Sequence, residues 1–467
     1  NDKLGLQLRG SYYDRGESER INNGTSRDPR PTTAENYDVG AKLSFQADNQ
    51  NALWLDGFQS VQTYDNADII IFNTCAVRES AEEKAFGVIG SVKRYKEKKP
   101  DLIIGLCGCM AVQEHVVERV KKSFPFIDIV FGTSAIDELP KLLLDVFNGK
   151  KHVFDTSEYN KPLSEQMEVV RDSSFKASVP IMYGCNNFCT YCIVPYVRGR
   201  ERSRNHEAII AEIKGLVSDG YKEIMLLGQN VNSYGNDLAN GISFSELLRR
   251  LNEIDGEFVI RFMSSHPKDA SFELIDTIIQ CEKVAKHLHL PVQSGSNEIL
   301  KAMNRKYTIE KYLEIVDYAR QQVPDFSFTT DVIVGFPNET EEQFNETLEI
   351  LKRVKYDNIY SFIYSKRSGT RAALFEDNVN YEEKSRRMQT LLALQREISI
   401  EGYKRFIGRT MTVLVDDECK NAEGWIHGKS NEFIIVEFKG PKELVGQFVK
   451  VKIIGSKNWA VIGEIID

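Results

Sequence analysis

One short loop of the chain, "YGCNNFCTYC" at residues 183–192, contains three cysteines: Cys185, Cys189 and Cys192. A structural zinc site closes with four ligands, and disulfides use cysteines in pairs. Thiolates also bind iron–sulfur clusters, and three of them leave one iron of a four-iron cube without a protein ligand. Since an open coordination position suits substrate binding, we interpret the loop as a cluster site whose remaining ligand is a small molecule. The alternative is a zinc site completed by a residue from elsewhere in the chain.

The cysteine loop follows the first of six strand-like segments that alternate with helix-like segments between residues 174 and 402. The six segments are "SVPIMYG", "EIMLLGQ", "VIRFMSS", "HLHLPVQ", "TTDVIVGF" and "IYSFIYS". The first intervening helix has a capping residue, Asn205, and a terminating glycine, Gly220. Six such units predict a partial (β/α)6 barrel, whose chemistry belongs at the carboxyl ends of the strands. The loop therefore stands where such a barrel places its functional groups.

Two further domains flank the predicted barrel. Residues 56–150 contain the Ile- and Val-rich runs "ADIIIFN", "DLIIGLC" and "IDIVFG", which are typical of strands buried on both faces of a parallel sheet. Residues 403–467 are rich in Val, Ile, Phe and Gly and predict a small β-barrel. A polar linker is expected at 151–173. The predicted fold class is α/β, with an N-terminal α/β domain, a central partial barrel and a C-terminal small β-barrel.

The bulk composition limits the function classes. The chain has 467 residues, of which 42% are hydrophobic and 27% charged, and its net charge is −8. This length allows several domains, each with its own core, and the negative total charge confines any nucleic-acid site to a local patch. The eight cysteines are clustered, which indicates metal ligation in a reducing compartment rather than a disulfide framework. No apolar run is long enough to cross a bilayer as a helix.

Residues 1–55 differ from the rest of the chain. The leucines of "KLGLQLRG" (3–10) alternate with other residues, and the segment "YDVGAKLSF" (37–45) alternates in the same way. With the long polar loop between them and the tight "DNQN" turn after them, the two strands resemble a hairpin from the barrel of a TonB-dependent outer-membrane receptor. A hairpin at the edge of a soluble sheet is the alternative. One hairpin cannot close a barrel, so we assign it no transport activity.

The cysteine spacing, with the aromatic Tyr191 before the last cysteine, resembles the C-x3-C-x-aromatic-C signature of the radical S-adenosylmethionine (SAM) enzymes. The resemblance implies a [4Fe–4S] cluster on Cys185, Cys189 and Cys192, with the amino and carboxylate groups of SAM on the open iron. It also places Tyr191 in the cofactor site and implies that one electron splits SAM into methionine and a 5′-deoxyadenosyl radical. In such enzymes the protein positions the cofactor, and the cofactor carries the chemistry.

Motifs from about residue 57 to the C-terminus resemble, in order, those of the methylthiotransferases. They are "NTCAVRESAEEKAFG", "GCMA", "CTYCIVPYVRGRERSR", "LLGQNVNSYG", "RFMSSHPKD", "HLPVQSGSNEILKAMNR", "DVIVGFPNET" and "YSKRSGTRAA". "NTCAVRES", "NVNSYG" and "PYVRGRERSR" are most similar to the MiaB-type tRNA enzymes, and the C-terminal barrel resembles a TRAM domain, an RNA-binding module. The resemblance implies methylthiolation of C2 of N6-isopentenyladenosine next to the tRNA anticodon. The alternatives are a methylthiotransferase for threonylcarbamoyladenosine tRNA or a ribosomal protein, and a non-catalytic Fe–S RNA-binding protein.

Polar residues at the ends of two predicted barrel strands are candidates for the SAM pocket by this resemblance. "LLGQN" ends one strand with Gly228, Gln229 and Asn230, and "PVQSGS" ends another with Gln293 and Ser294. The alternative is that both segments are turns whose side chains cap their own backbone.

Four arginines alternate just after the cysteine loop, namely Arg198, Arg200, Arg202 and Arg204. A guanidinium fork suits either the SAM carboxylate or a tRNA phosphate. The alternative is a solvated charged face.

Other chemically capable residues are left without a role. His266, His287 and His289 are unassigned because a lone histidine at a strand end is more often hydrogen-bonded structure. Cys281 and Cys419 have no partner motif and are expected to be inert thiols. No residue is assigned as catalytic.

The methylthiotransferase resemblance also implies an auxiliary [4Fe–4S] cluster held by three cysteines of the N-terminal α/β domain. Cys75 in "NTC" and Cys109 in "GCM" match two of these positions, but no cysteine precedes Cys75, and residues 1–55 look joined to an otherwise continuous enzyme. Cys107 is a weak substitute, because residues two apart on a strand share a face and seldom wrap one cube without a turn. We therefore expect an intact SAM centre and impaired sulfur insertion.

The implied partners are tRNA and an electron donor such as a flavodoxin or ferredoxin, and we expect a cytoplasmic monomer without membrane contact. Acidic and basic residues are nearly balanced after residue 403, so RNA would bind a local, salt-sensitive basic face. The candidates for this face are Lys404, Arg405, Arg409, Lys450 and Lys452.

Overall fold

The computed structural model describes residues 40–47, 53–61, 63–76, 79–156, 169, 171, 173–239, 241–420 and 422–466, and of 40–47, 53–61 and 79–81 it describes the backbone alone. The predicted strand at 3–10, the polar loop after it, the turn at 48–51 and most of the predicted linker lie outside these residues. The chain divides into two compact units, one comprising 1–170 with 196–199 and the other 171–195 with 200–467. In the described part of the chain, no helix is both long and apolar enough to cross a membrane.

The first unit is built on a six-stranded sheet with strand order β2-β1-β3-β4-β5-β6. Its last four strands are parallel. The strands are β1 (Gly40–Ala47), β2 (Leu53–Val61), β3 (Ile69–Thr74), β4 (Ile103–Gly108), β5 (Ile129–Phe131) and β6 (Val153–Asp155). The helices are α1 (Glu79–Ser91), α2 (Lys93–Lys98), α3 (Glu114–Ser123) and α4 (Leu139–Phe147).

Alternate residues of β3 and β4 enter two separate hydrophobic clusters. Ile70 and Ile104 pack with residues of α1 and α3, whereas Ile71 and Ile103 pack with residues of α4. Both faces of the sheet are therefore covered, which explains why these strands are continuous apolar runs. The predicted buried parallel strands of this domain are confirmed.

The hairpin at the edge of this sheet differs from the one that the sequence predicts. The predicted strand at 37–45 overlaps β1, but the described strand that pairs with it along its whole length is β2, which the alternation pattern does not reveal. β1 also pairs with β3 in the antiparallel direction. The hairpin therefore extends the α/β sheet, as in the alternative of a sheet-edge hairpin.

The second unit contains the six predicted barrel strands. These are β7 (Lys176–Pro180), β10 (Glu223–Leu227), β11 (Val259–Phe262), β12 (His287–His289), β13 (Ser327–Val334) and β14 (Asn358–Ile363). They form two three-stranded parallel sheets, which a parallel bridge between Ile260 and Val284 joins. Two short strands, β8 (Met182–Tyr183) and β9 (Arg202–Ser203), form a separate antiparallel pair. The arrangement confirms the predicted partial (β/α)6 barrel.

Helices follow the barrel strands as the local sequence signals predict. Asn205 Oδ1 accepts hydrogen bonds from the backbone N–H groups of Glu207 and Ala208 at the start of the first crossover helix, and Gly220 follows its end with a positive φ of 91°. The remaining helices of the chain are α5 (Val194–Arg198), α6 (His206–Ser218), α7 (Phe244–Asn252), α8 (Phe272–Gln280), α9 (Asn297–Ala302), α10 (Ile309–Gln322), α11 (Glu341–Val354) and α12 (Tyr381–Tyr403).

The C-terminal part of the second unit is a closed five-stranded barrel with strand order β15-β16-β17-β19-β18. Its strands are β15 (Thr410–Glu418), β16 (Trp425–Ser430), β17 (Ile435–Lys439), β18 (Phe448–Ser456) and β19 (Val461–Ile465). The turn between β16 and β17 packs against the amino ends of the partial barrel. Phe433 in this turn stacks on His287 with ring centroids 4.5 Å apart, and Asn431 O accepts a hydrogen bond from Lys286 N at 2.9 Å.

A buried ion pair lies at the same junction. Arg261 is 2% exposed and Glu223 is 5% exposed, and Arg261 Nε donates to Glu223 Oε2 at 2.7 Å. Arg261 Nη2 also donates to Ser430 O of the small barrel at 2.9 Å. Removing one member of such a pair leaves the other charge buried without compensation, which is more costly than replacing both.

We predict that Arg261→Met lowers the free energy of unfolding of the second unit by about 3–5 kcal/mol, because Glu223 is left as an unpaired buried carboxylate. The double variant Arg261→Met/Glu223→Met should recover most of this loss. Denaturant unfolding of the cluster-free protein, followed by circular dichroism, measures both changes.

The matched control is Lys311→Ala, which breaks the exposed Lys311–Glu314 pair and should cost at most about 1 kcal/mol. If the double variant is as unstable as Arg261→Met, the Arg261–Glu223 pair does not account for the loss.

Candidate iron–sulfur and cofactor site

The backbone of the three-cysteine loop and of the residue before it forms hydrogen bonds with segments that follow other strands of the partial barrel. Gly184 N, before the loop, donates to Gln229 Oε1 at 2.6 Å. Thr190 N donates to Met303 O at 3.0 Å, and Thr190 O accepts from Ala372 N at 2.7 Å. The loop is therefore positioned by the segments that follow β10, β12 and β14, and it lies at the carboxyl ends of the strands, where the sequence predicts it.

The three thiols of the loop are close enough to influence one another. Burial raises the pKa of Cys185 to about 11, and the neighbouring Cys189 adds to the shift. Burial likewise raises the pKa of Cys192 to about 12, again with a contribution from Cys189. The thiols of Cys185 and Cys192 are therefore protonated at neutral pH, and binding of a metal displaces their protons because only the thiolate is a ligand.

The three thiols of the loop are a donor set that suits an iron–sulfur cluster, because thiolates are the usual protein ligands of such clusters. In the described part of the chain, no group of three His, Cys, Asp or Glu side chains is placed to hold one metal ion. The cysteines of a four-iron cube bind different irons and so need not converge on one point. None of the eight cysteines, all of which the structure describes, forms a disulfide. The donor set therefore fits the predicted [4Fe–4S] cluster.

Arg305 is a part of the site that sequence reasoning missed. It is 8% exposed, and its Nη1 donates to Cys189 Sγ at 3.3 Å. The "NEILKAMNR" motif contains Arg305, but no spacing rule connects it to a cysteine more than a hundred residues earlier. The contact depends on α9, whose end lies beside the cysteine loop, and could be found only from the fold.

Gly228, Gln229 and Asn230 follow β10 and approach the cysteine loop. A Cβ on Gly228 would lie 2.6 Å from Met182 Cγ, so glycine is needed there for close packing. Asn230 is 1% exposed, and its Nδ2 donates to Asp269 Oδ2 at 2.7 Å. Asn230 Oδ1 is buried and has no hydrogen-bond partner among the described residues, as expected of an acceptor that meets a ligand.

Ser265 and His266 present two more buried polar atoms, just after β11. Ser265 Oγ and His266 Nε2 have no hydrogen-bond partner among the described residues. His266 Nδ1 accepts from Lys268 N at 3.1 Å, so Nε2 carries the proton of the neutral ring. Burial, helped by the positive charge of Arg305, lowers the pKa of His266 to about 2. His266 is therefore a fixed hydrogen-bond donor and not a cation near neutral pH.

The other two histidines have structural partners. His287 Nε2 and His289 Nδ1 lie 2.8 Å and 3.0 Å from Thr329 Oγ1. Burial lowers the pKa of His287 well below its usual value. Both histidines lie on β12, and these contacts agree with the prediction of hydrogen-bonded structure.

Gln293 and Ser294 follow β12, and the structure favours different roles for their side chains. Ser294 Oγ accepts from Ser296 N at 3.2 Å and lies 3.4 Å from Thr347 Oγ1, which favours the turn-capping alternative for this residue. Gln293 is 7% exposed and has a positive φ of 65°, an uncommon conformation for a residue other than glycine. Its strained backbone supports the prediction that Gln293 faces a ligand.

Tyr191 packs against the hydrophobic cluster that includes Ile299, Met303 and Phe336. Burial raises the pKa of Tyr191 well above its usual value, so the hydroxyl stays protonated. The aromatic residue of the signature thus contributes packing that fixes the cysteine loop, and its role towards the cofactor stays a prediction.

The four arginines after the loop do not share one role. Arg204 is 9% exposed and donates to Glu212 Oε2 at 2.9 Å and to Pro180 O at 2.7 Å, which favours a structural role over an RNA contact. Arg200 is exposed and lies over the Phe188 ring, 4.6 Å from its centroid. Arg202 is half-buried, and burial lowers its pKa.

The first unit brings together the two predicted cysteines of the auxiliary site. Cys75 and Cys109 directly follow Thr74 and Gly108, which pair in the parallel register of β3 and β4. Cys75 is exposed and Cys109 is buried. Arg198, which belongs to the first unit, donates from Nε to Cys109 Sγ at 3.1 Å. The two cysteines therefore follow the ends of adjacent parallel strands, and their role as ligands of one cluster stays a prediction.

Cys107 is poorly suited to replace the third ligand. Its side chain lies in the hydrophobic cluster between β4 and α4, together with Ile71 and Phe131. Burial raises the pKa of Cys107 to about 12. Gly108, with a φ of 97°, turns the chain between Cys107 and Cys109, and both of these cysteines are buried.

Comparison with protein families identifies three successive domains. The model of the uncharacterized protein family UPF0004 matches residues 47–132, that of the radical SAM superfamily matches 179–351, and that of the TRAM domain matches 404–466. The last match covers the closed five-stranded barrel. The predicted fold class and the predicted cofactor classes, SAM and [4Fe–4S] clusters, are confirmed at the level of the family.

Curated relatives extend over most of the chain. A tRNA-2-methylthio-N(6)-dimethylallyladenosine synthase of Thermoanaerobacter pseudethanolicus is 50% identical over 411 residues, which are 88% of this chain and 87% of the relative. An enzyme of the same name from Clostridium botulinum is 49% identical over 409 residues, which are 88% of this chain and 91% of the relative.

Among the solved structures that resemble this chain is that of a radical S-adenosylmethionine methyltransferase, TsrM, from Kitasatospora setae, with cobalamin and a [4Fe-4S] cluster bound. It is 14% identical, with a TM-score of 0.49, and the similarity covers 64% of this chain and 62% of that chain. On the much higher identity of the curated relatives, the chain belongs to the MiaB-type tRNA methylthiotransferases of the radical SAM superfamily.

Proposed function

We propose that the protein adds a methylthio group to C2 of N6-isopentenyladenosine next to the anticodon of tRNA. The observation that carries the proposal is the three-cysteine loop at the carboxyl ends of the barrel strands, in a chain half identical to tRNA-2-methylthio-N(6)-dimethylallyladenosine synthases. The relatives supply the substrate class, and the loop supplies a site for the chemistry.

Each part of the site has a role in this proposal. Cys185, Cys189 and Cys192 would hold a cluster that, with SAM, supplies one-electron cleavage of the cofactor. Gln229 fixes the start of the cysteine loop through Gly184. The unpartnered atoms of Asn230, Ser265 and His266 would accept and donate hydrogen bonds to the cofactor or to the adenosine base. Their burial excludes water from the reacting groups.

We propose a tRNA-binding face that is narrower than the one that the sequence predicts. Arg405 pairs with Asp357, Arg409 pairs with Asp325, and Lys404 pairs with Glu401, so these cations are already compensated. Lys450 and Lys452 are exposed on β18, where they alternate with residues that face the barrel core. We propose that these two lysines, with Arg200 near the cysteine loop, contact tRNA phosphates in a salt-sensitive manner.

The auxiliary site limits the proposed reaction. With Cys75 and Cys109 as its thiolates and Cys107 in the core, a second [4Fe–4S] cluster would have two protein ligands and would be weakly held. We therefore propose that SAM cleavage is intact and sulfur insertion is slow. The same observation favours one second candidate, a non-catalytic Fe–S protein that binds tRNA.

The cellular setting follows from this function as part of the proposal. The electron donor would be a small one-electron carrier such as a flavodoxin or ferredoxin, and the protein would act in the cytoplasm as a monomer. The boundaries 1–55, 56–150, 174–402 and 403–467 are proposed as the functional divisions of the chain.

The substrate can be tested in cells that lack their own tRNA methylthiotransferases. We expect expression of the chain to produce 2-methylthio-N6-isopentenyladenosine, at a lower level than expression of the Thermoanaerobacter relative. Mass spectrometry of tRNA nucleosides measures both. A methylthio group on threonylcarbamoyladenosine instead would show that the proposed substrate is wrong.

The SAM site can be tested by Cys185→Ala. The variant should lose about four irons per chain after anaerobic reconstitution, and it should form no 5′-deoxyadenosine from SAM under reducing conditions. Cys281→Ala is the matched control, since Cys281 is buried but remote in sequence from the cysteine clusters. If both variants cleave SAM at the same rate, the loop is not the SAM centre.

The auxiliary site can be tested by iron and sulfide analysis of the reconstituted chain. We expect stable retention of about four irons per chain on a desalting column, because one cluster has three thiolates and the other has two. Cys107→Ser should leave this value unchanged. About eight retained irons per chain would contradict the two-thiolate argument.

A further inference from the structure

Arg305 is a buried cation whose nitrogens are each held by the fold. Nη1 donates to Cys189 Sγ at 3.3 Å, Nη2 donates to Pro291 O at 3.0 Å, and Nε donates to Tyr307 Oη at 3.2 Å. The guanidinium also lies over the Tyr307 ring, 5.1 Å from its centroid. These contacts fix both the position and the orientation of the positive charge.

Tyr307, which accepts the hydrogen bond from Arg305, is itself held by a backbone carbonyl. Tyr307 Oη donates to Val292 O at 2.7 Å, so the tyrosine is anchored to the segment after β12. Arg305 thus sits in a frame built from the end of α9 and the end of β12. A guanidinium in such a frame keeps its geometry when the charge beside it changes.

Cys189 is the negatively charged partner for which this buried cation is suited. Arg305 is 8% exposed, and the ionisable side chains beside its guanidinium are those of Tyr307, Tyr191 and Cys189. A buried charge needs an opposite charge to compensate its loss of hydration. Among these three neighbours, Cys189 is the one that becomes an anion when it binds a metal.

We propose that Arg305 is a positioning residue that sets the reduction potential of the SAM cluster. The proposal rests on the cluster at Cys185, Cys189 and Cys192 that forms part of the proposed function. One-electron reduction adds a negative charge to the cluster, and a nearby buried cation stabilises the reduced state more than the oxidised state. Hydrogen bonds to cluster sulfurs shift the potential in the same direction. Arg305 therefore makes the cluster easier to reduce.

The test is a redox titration of Arg305→Met, which removes the charge and keeps much of the volume. The full-length chain also carries Cys75→Ala and Cys109→Ala, so that only the cluster of the three-cysteine loop contributes to the signal. The midpoint is followed by electron paramagnetic resonance after anaerobic reconstitution, with iron counted in the same samples. None of these readouts needs tRNA or turnover.

We expect Arg305→Met to keep about four irons per chain and to shift the midpoint to a more negative potential. At a fixed donor potential, the ratio of reduced to oxidised cluster should fall at least tenfold, which is about 59 mV for one electron. Arg305→Lys, which keeps a charge without the planar fork, should give a smaller shift in the same direction.

The matched control is Arg320→Met, which removes another partly buried guanidinium that lies near Phe328 and has no cysteine contact among the described residues. Its midpoint should equal that of the parent. If Arg305→Met retains its iron and titrates at the parent midpoint, the proposal is overturned.

If Arg305→Met loses its iron, Tyr307→Phe is the second variant that tests the proposal. This variant keeps the charge of Arg305 but removes the acceptor of Nε, so we expect full iron and a small negative shift. An unchanged midpoint in Tyr307→Phe together with iron loss in Arg305→Met would mean that Arg305 only supports the fold. A parent chain without any cluster would instead contradict the proposed function.

Discussion

The candidate site depends on one electrostatic constraint: three thiolates must be held together in a loop that is largely removed from water. Thiols in that position stay protonated, since burial and their mutual repulsion raise the pKa of Cys185 and Cys192. Iron can displace these protons, but the resulting negative charge still needs compensation inside the protein. Arg305 is the residue placed to supply it, through a direct hydrogen bond to Cys189.

The same constraint explains why the loop is fastened from several directions. Short spacings between cysteines let one loop surround a cluster corner, but a short loop cannot hold its shape alone. Gln229 binds the residue before the first cysteine, and Thr190 receives contacts from the segments after β12 and β14. Each of these segments begins at the carboxyl end of a barrel strand. The barrel therefore acts as a rigid frame for the loop, while its amino ends pack against the small C-terminal barrel through Arg261 and Phe433.

The sequence predicts the parts of the molecule that follow from local pattern. The six barrel strands, the cap at Asn205 and the cysteine loop are all visible in short windows, because apolar periodicity, capping chemistry and ligand spacing are local properties. The role of Arg305 is not local, since its partner lies in a different βα unit. Arg204 is an example of a local pattern that misleads. The alternating arginines around it suggest an RNA-binding face, but its ion pair with Glu212 depends on the packing of α6 and cannot be read from the sequence. The strand β2 was missed because its residues do not alternate cleanly between polar and apolar.

In the proposed auxiliary site, the composition of the chain and not the direction of the neighbouring strand limits the number of cysteine ligands. Cys75 and Cys109 lie together because β3 and β4 are parallel and in register. On the other side of β3, the neighbour is β1, which is antiparallel. An antiparallel strand brings its amino end, not its carboxyl end, to the edge where Cys75 lies. Since no cysteine precedes Cys75 in the sequence, neither direction of that strand could supply a third thiolate. The proposed site therefore has two cysteine ligands because of the composition of the chain, and Cys107, which packs in a hydrophobic cluster, does not add a third.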